Sequence, residues 1–178
     1  LNEDLDKVFN DLVKRGFTGV FVIAEKGEVI YKNFNGYTNF TDSLKINEET
    51  IFELASVSKQ FTAAAIAILE QDGKIVSSDP ISKFITELGH YNKITVDHLI
   101  HHTGGLPEYD EGDWVYDRSS FITNDSIINY LARKKPDLKY TPGSSYEYNN
   151  TGYVLLASIV ERVSGLTFAE FLSKEIFN

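Results

Sequence analysis

The chain contains no cysteine. Disulfides, thiolate metal sites and a cysteine nucleophile are therefore excluded. The absence says little about compartment, because cysteine-free chains occur both among exported proteins and in the cytosol. Methionine is also absent and the first residue is Leu1. The expectation is a processed or trimmed N-terminus, with any export signal already removed. No signal peptide is visible, and no apolar run approaches the roughly 20 residues of a membrane span. Basic clusters are missing as well: 17 Lys and Arg face 26 Asp and Glu, for a net charge of −9. Without the basic stripe that a phosphate backbone needs, nucleic acid is not an expected partner. The acidic residues are dispersed, as on a solvated surface. Low-complexity tracts and internal repeats are absent too.

What is present is the composition of an ordinary globular protein, 42% hydrophobic and 24% charged over 178 residues. That length suits one domain with a substantial core. Leu5, Val8, Phe9, Leu12 and Val13 recur at helical spacing and predict an amphipathic first helix that stops at Gly16. Thr18–Ala24 and Glu28–Phe34 read as strands around a turn at Glu25-Lys26-Gly27, and 35–47 reads as a loop. From Ser56 an apolar run to about Gln71, stopped by Gly73, predicts a helix buried nearly all round. Helical patterns follow at Ile81–Ile85, Thr95–His101, Asn124–Ala132 and Gly152–Val163. Thr167 and Glu170 form a capping box for the last helix. Glu108–Ser120, with Tyr109, Trp114 and Tyr116 among acids and a glycine, reads as a long exposed loop. A lone two-stranded hairpin needs further strands or a helix against it. The last helix also runs to the final residue, so the expectation is an interrupted sheet whose remaining strands lie C-terminal to this chain.

Ser56 and Lys59 are the first candidate pair. Residues three apart on a helix lie about 5–6 Å apart, so the Lys59 amine reaches the Ser56 hydroxyl. Free N–H groups at a helix start offer positive potential to an oxyanion. A lysine whose pKa is depressed by burial would act as general base. A lone Ser-x-x-Lys also marks an ordinary helix N-terminus, with Ser56 as cap and Lys59 solvated. Tyr148 and Asn150, two apart in an extended segment, present their side chains on the same side. The phenol can share a proton with Lys59, and the amide can donate to a substrate carbonyl or orient the lysine. The alternative for them is a turn leading into the next helix. His98, His101 and His102 have the spacing of a helical metal face beside Asp97, but no distant carboxylate or cysteine pattern supports a metal site. The same imidazoles could serve a Ser-His-Asp triad, but Ser56 lacks the Gly-x-Ser-x-Gly elbow of that chemistry.

Together the segments are more specific than any one of them. Phe52-Glu53-Leu54-Ala55-Ser56-Val57-Ser58-Lys59-Gln60-Phe61-Thr62-Ala63 resembles the nucleophile segment of the penicillin-recognising serine hydrolases. The branch is that of class C β-lactamases, D-alanyl-D-alanine carboxypeptidases and related esterases. The run from His98 through His102-Thr103-Gly104-Gly105-Leu106 to Pro107 resembles a turn of that branch. Tyr148-x-Asn150 followed by Thr151-Gly152-Tyr153 resembles its second catalytic motif, where class A β-lactamases would carry Ser-Asp-Asn.

The resemblance implies an α+β fold of β-lactamase/DD-peptidase type, a helical lobe packed on an antiparallel sheet, with the C-terminal strands absent here. Residues 1–178 would be the N-terminal portion of one such catalytic domain, with 1–50 the helix and first strands and 51–178 mostly the helical lobe. It implies a serine hydrolase acting through an acyl-enzyme, without cofactor or metal, on a β-lactam, a D-Ala-D-Ala-type peptide or an ester. Ser56 would attack, Lys59 and Tyr148 would move the proton, and Asn150 would hold the acyl side chain. A catalytically silent peptidoglycan- or penicillin-binding protein of the same fold is the alternative. β-Lactams would be covalent ligands, a C-terminal half would complete the sheet, and the location would be extracytoplasmic. The branch's third motif, Lys/His-Ser/Thr/x-Gly on a strand, has no counterpart after Tyr148; His102-Thr103-Gly104 matches its letters but precedes Tyr148. That strand normally carries one oxyanion donor. Loss of such a donor costs on the order of 10²–10³ in rate, so this chain alone is expected to be nearly inactive.

Overall fold

Lys26 and Gly27 both take positive φ, 52° and 86°. Such a pair makes a two-residue turn whose twist matches that of the strands it joins. In the computed structural model, which describes residues 2–39, 41, 43–109 and 122–177, this turn links β1 (Gly19–Glu25) to β2 (Glu28–Asn35). The strands are antiparallel, in register from Gly19↔Asn35 to Glu25↔Glu28, with one irregularity between Ile23 and Ala24. The helix α1 (Asn2–Lys14) supplies the hairpin with a packing partner. Its buried Phe9 lies 6.0 Å from Phe21 between ring centroids, and Phe21 lies 5.9 Å from Tyr31. The Tyr31 hydroxyl donates to Asp6 of α1 at 2.8 Å. The helix ends as the sequence predicts, with Gly16 N–H bonded to Val13 O and Phe17 N–H to Leu12 O.

The loop expected over 35–47 is partly regular. β3 (Tyr37–Asn39) pairs antiparallel with β4 (Leu44–Lys45), as a second two-stranded sheet. Both strands are too short and polar to carry an alternating hydrophobic pattern, which is why the sequence did not announce them.

The chain divides into two units, Leu1–Leu54 and Ala55–Asn178. The second holds a 3-10 turn (Ala55–Ser58), α2 (Lys59–Gln71), 3-10 turns at Ile81–Lys83 and Thr86–Tyr91, α3 (Val96–Ile100), α4 (Asn124–Lys134), α5 (Asn150–Ser164) and α6 (Phe168–Glu175). Here the central helix is α5, against which α2, α3, α4 and α6 all pack. Thr151, Gly152 and the whole run Leu155–Val160 are buried. By contrast α2 buries one face, Thr62, Ala65, Ile66 and Leu69, while Gln60, Ala67 and Glu70 are exposed. The expectation that the Ser56 helix would be buried all round is therefore corrected. Alanine-rich apolarity reads alike on a half-buried and a buried helix.

The expected exposed loop from Glu108 also needs correction at its start. Glu108 is buried, and Tyr109 packs against the core. Trp114, Tyr116 and the rest of that loop to Ser120 lie outside the described residues.

Candidate active site

Ser56 lies in the 3-10 turn ahead of α2, not in the α-helix proper. In a 3-10 turn residues i and i+3 eclipse one another, which aligns Ser56 with Lys59 more closely than an α-helical turn. The turn opens at Ala55 with φ 45°, a left-handed conformation unusual for alanine. Ser58 Oγ closes the turn by donating to Ala55 O at 2.6 Å. The capping position of α2 falls to Ser58, so Ser56 does not spend its hydroxyl as a cap.

That hydroxyl is instead the meeting point of two donors from distant parts of the unit. Lys59 Nζ donates to Ser56 Oγ at 3.2 Å, and Tyr148 OH donates to the same oxygen at 2.7 Å. Lys59 also donates to Asn150 Oδ1 at 2.7 Å. Its ammonium lies 5.0 Å from the centre of the Tyr148 ring and 5.5 Å from that of Tyr153. All four residues singled out from sequence thus converge on one spot. Ser56 is exposed and Lys59 only half-buried, so deep burial of the amine is not the device at work. The Lys59 ammonium, and after it the Ser56 hydroxyl, hold the Tyr148 phenol below the ordinary tyrosine value.

Two further side chains support this arrangement. Glu108 accepts from Asn150 N at 2.7 and 2.9 Å, from Asn150 Nδ2 at 3.0 Å and from Thr151 N at 3.1 Å. A carboxylate at the start of α5 also faces the positive end of that helix. Asn150 thus donates through Nδ2 to Glu108 while its Oδ1 accepts from Lys59; the sequence left open contact with a substrate carbonyl beside orientation of the lysine, and the second Nδ2 hydrogen remains for such a contact. The cap of α5 is Asn149, whose side chain accepts from Gly152 N at 2.8 Å and donates to Leu106 O at 2.9 Å.

His102 is the second. Its ring stacks on Tyr148 with centroids 4.6 Å apart and planes at 29°. Its Nδ1 accepts from Asn149 N at 3.0 Å, and its backbone oxygen accepts from Glu147 N at 3.0 Å. Burial is the largest influence on the imidazole and lowers its proton affinity, in keeping with a neutral ring whose Nδ1 lone pair faces an N–H. The backbone at His102 is left-handed, φ 57°. The neighbouring Gly105 is required by a close approach: a Cβ there would sit 2.4 Å from Tyr140 O. The other imidazoles point to separate partners. His98 Nδ1 accepts from Thr95 N at 3.2 Å, and His101 Nδ1 lies 3.1 Å from Asp97. Among the described residues no group of three His, Cys, Asp or Glu could hold a metal ion.

Known proteins resemble this chain over nearly all of its length. The β-lactamase family matches residues 5–178. A penicillin-binding protein of Bacillus subtilis strain 168 is 35% identical over 167 residues, which are 92% of this chain and 36% of that protein. The octameric penicillin-binding protein homologue from Pyrococcus abyssi superposes with a TM-score of 0.79 at 29% identity, covering 99% of this chain and 42% of that one. D-amino acid amidase from Ochrobactrum anthropi, complexed with D-phenylalanine, gives 0.82 at 26% identity, covering 99% of this chain and 49% of its own. The chain spans less than half the length of each of these three.

Proposed function

The chain belongs to the β-lactamase family, and from that premise we propose that it carries the nucleophile and proton-transfer groups of an acyl-transferring serine hydrolase. The observation that carries this reading is the double approach to one oxygen. Tyr148 OH and Lys59 Nζ stand 2.7 and 3.2 Å from Ser56 Oγ, although Tyr148 is 92 residues away along the chain. A solvent-facing serine with no chemistry to do has no need of two such neighbours.

The distances support the following steps. In the reactive form Tyr148 is a phenolate, stabilised by the adjacent Lys59 ammonium, and the 2.7 Å contact runs from the Ser56 hydroxyl to the phenolate oxygen. Ser56 Oγ attacks a carbonyl carbon as its proton passes to Tyr148. The tyrosine then returns that proton to the leaving nitrogen or oxygen as its bond to carbon breaks. Water, deprotonated in the same way, releases the acyl group and restores Ser56. The substrate class is an amide or ester of the β-lactam, D-Ala-D-Ala-peptide or simple ester kind. We read residues 1–178 as the N-terminal part of one catalytic domain. With no third motif after Asn150, we expect the chain alone to acylate on the order of 10²–10³ more slowly than an enzyme with a full set of oxyanion donors.

A fluorescent penicillin or an activated ester, followed by mass spectrometry of the digested protein, tests this reading. Label on Ser56, abolished in Ser56→Ala, is the expected result. Label on another residue, or none after long incubation, would defeat it. Reversible binding that survives Ser56→Ala would instead assign the chain to a silent binding protein of the same fold.

A further inference from the structure

We propose that Glu108 is a positioning residue of this site: its carboxylate fixes the Asn150 amide with Oδ1 toward Lys59, and so holds the Lys59 ammonium against Ser56 and Tyr148. The inference rests on the function proposed above and assigns a device that the sequence motifs do not contain.

Glu108 is only 8% exposed, a rare state for a carboxylate unless its oxygens are occupied. They are occupied. Both oxygens receive Asn150 N, Oε1 also takes Asn150 Nδ2 at 3.0 Å, and Oε2 takes Thr151 N at 3.1 Å and Thr151 Oγ1 at 3.4 Å. Capping α5 explains the bonds to the two backbone N–H groups. It does not explain the bond to the Asn150 side chain, which reaches the site itself.

An amide has one accepting end and one donating end. On one side of Asn150 stands an ionised carboxylate, which only accepts; on the other stands an ammonium, which only donates. Just one orientation satisfies both: Nδ2 toward Glu108 and Oδ1 toward Lys59, as the 3.0 and 2.7 Å contacts record. Replace the carboxylate with a group that both donates and accepts, and the amide can turn over. Lys59 then meets an N–H instead of an oxygen and loses the bond that steers it. Charge alone does not require this chain of contacts, and neither does helix capping.

The proton affinity of Tyr148 separates these roles. Facing the phenol are Ser56 from the 3-10 turn, Lys59 from the start of α2, His102 stacked on the ring, Tyr153 from α5 and the more distant Glu108; Glu147 beside it is paired with Lys139. Lys59 lowers Tyr148 and is the largest influence, whereas the charge of Glu108 raises it and is the least. Suppose Glu108 acts only as a nearby charge. Removing that charge then lowers the titration midpoint of Tyr148. If Glu108 instead holds Lys59 in place, removing it frees the ammonium and the midpoint rises toward the ordinary tyrosine value.

The test uses the full chain with 13Cζ-labelled tyrosine, the Tyr148 resonance being assigned with Tyr148→Phe, together with acylation rates by an activated ester across pH. Glu108→Gln keeps the shape and loses the charge and the acceptor-only character; Glu108→Asp keeps both of the latter. In Glu108→Gln the midpoint of Tyr148 should move up and acylation should slow on the order of 10²-fold. In Glu108→Asp the midpoint should stay close to that of the parent and much of the rate should return. A downward shift in Glu108→Gln, or none, overturns the proposal. So do equal rate losses in the two variants with the midpoint in place, since that pattern is mere helix capping. Should circular dichroism find Glu108→Gln unfolded, Glu108→Asp decides, and an upward midpoint there with an intact fold counts against the acceptor-only argument. Absence of any label on Ser56 in the parent chain would sink the proposed hydrolase. The Tyr148 midpoint would then still report on whether Glu108 positions Lys59.

Discussion

A phenol makes a useful base only when something lowers its proton affinity, and at Tyr148 that something is Lys59. The sign of the resulting pH dependence is fixed. In the mechanism proposed above the reactive form is the deprotonated one, so acylation should rise with pH along a limb whose midpoint lies below 10.0, the ordinary value of a tyrosine. Lys59→Ala removes the largest lowering influence, so its rate should still rise with pH but reach its plateau at higher pH. Tyr148→Phe should lose the limb altogether, with a rate about 10²–10⁴ below the parent. Stopped-flow acylation by an activated ester from neutral to alkaline pH reads all three; a Lys59→Ala limb at or below that of the parent would refute the role given to the ammonium. Ser56, Lys59, Tyr148 and Asn150 were legible in the sequence because their spacing allows each pair to meet and because the segments that hold them resemble the motifs of a known family; spacing alone left an ordinary cap and turn open. Glu108 and His102 were not legible as side-chain partners. Among the acids that follow it, Glu108 reads as solvated, and its burial comes from a helix start 42 residues further on. His102 sits in a recognisable turn, but stacking on a ring 46 residues away leaves no local periodicity to detect.

Several of the element ends legible in the sequence are written in backbone chemistry. Gly16, Gly73 and Gly165 close α1, α2 and α5 with positive φ, and Thr167 caps α6 reciprocally with Glu170. Capping boxes with unlike partners, Thr95 with His98 and Thr123 with Ser126, lack the Glu or Gln that makes the pattern readable. The centrality of α5 was hidden too, because it follows from what packs around the helix. One tie between elements is open to direct test. Arg162 of α5 grips Glu87 in the Thr86–Tyr91 turn through two bonds of 2.8 and 2.9 Å, and also donates to Phe84 O at 3.3 Å. The guanidinium holds the Glu87 carboxyl down at about 2, against 4.5 in an unpaired state. The unfolded chain therefore takes up the proton first on acidification. Stability from this pair is complete above pH 4.5 and is lost as the pH falls toward about 2. Both partners are partly exposed, so Glu87→Gln should cost no more than about 1 kcal/mol at neutral pH. Urea unfolding at pH 7 and again near pH 3 should show the gap between parent and variant narrowing in acid. A gap that widens there would exclude the pair as its source.

For the molecule as a whole, the strongest tension is between charge and exposed apolar surface. A net charge of −9 favours solubility through mutual repulsion. Against it stands a sequence run in which Ile51 is 95% exposed and Phe52 and Leu54 are each exposed by four-tenths or more. Clustered apolar exposure promotes association when repulsion is weakened. Two ways of weakening it are available. Acidification toward the pI of about 4.9 removes the net charge, and salt screens it over a Debye length of about 10 Å at 0.1 M. Light scattering should therefore rise as the pH approaches 4.9, and at pH 7 it should rise with added salt. Ile51→Lys is the decisive variant. Its side chain has almost no packing to lose, so the thermal midpoint should stay within about 0.5 kcal/mol of the parent when converted to free energy. The added lysine brings the net charge nearer zero, which by charge alone would increase association. If the apolar run is the cause, Ile51→Lys should nevertheless scatter less than the parent at pH 7 in high salt. Equal or greater scattering would place the cause elsewhere on the surface.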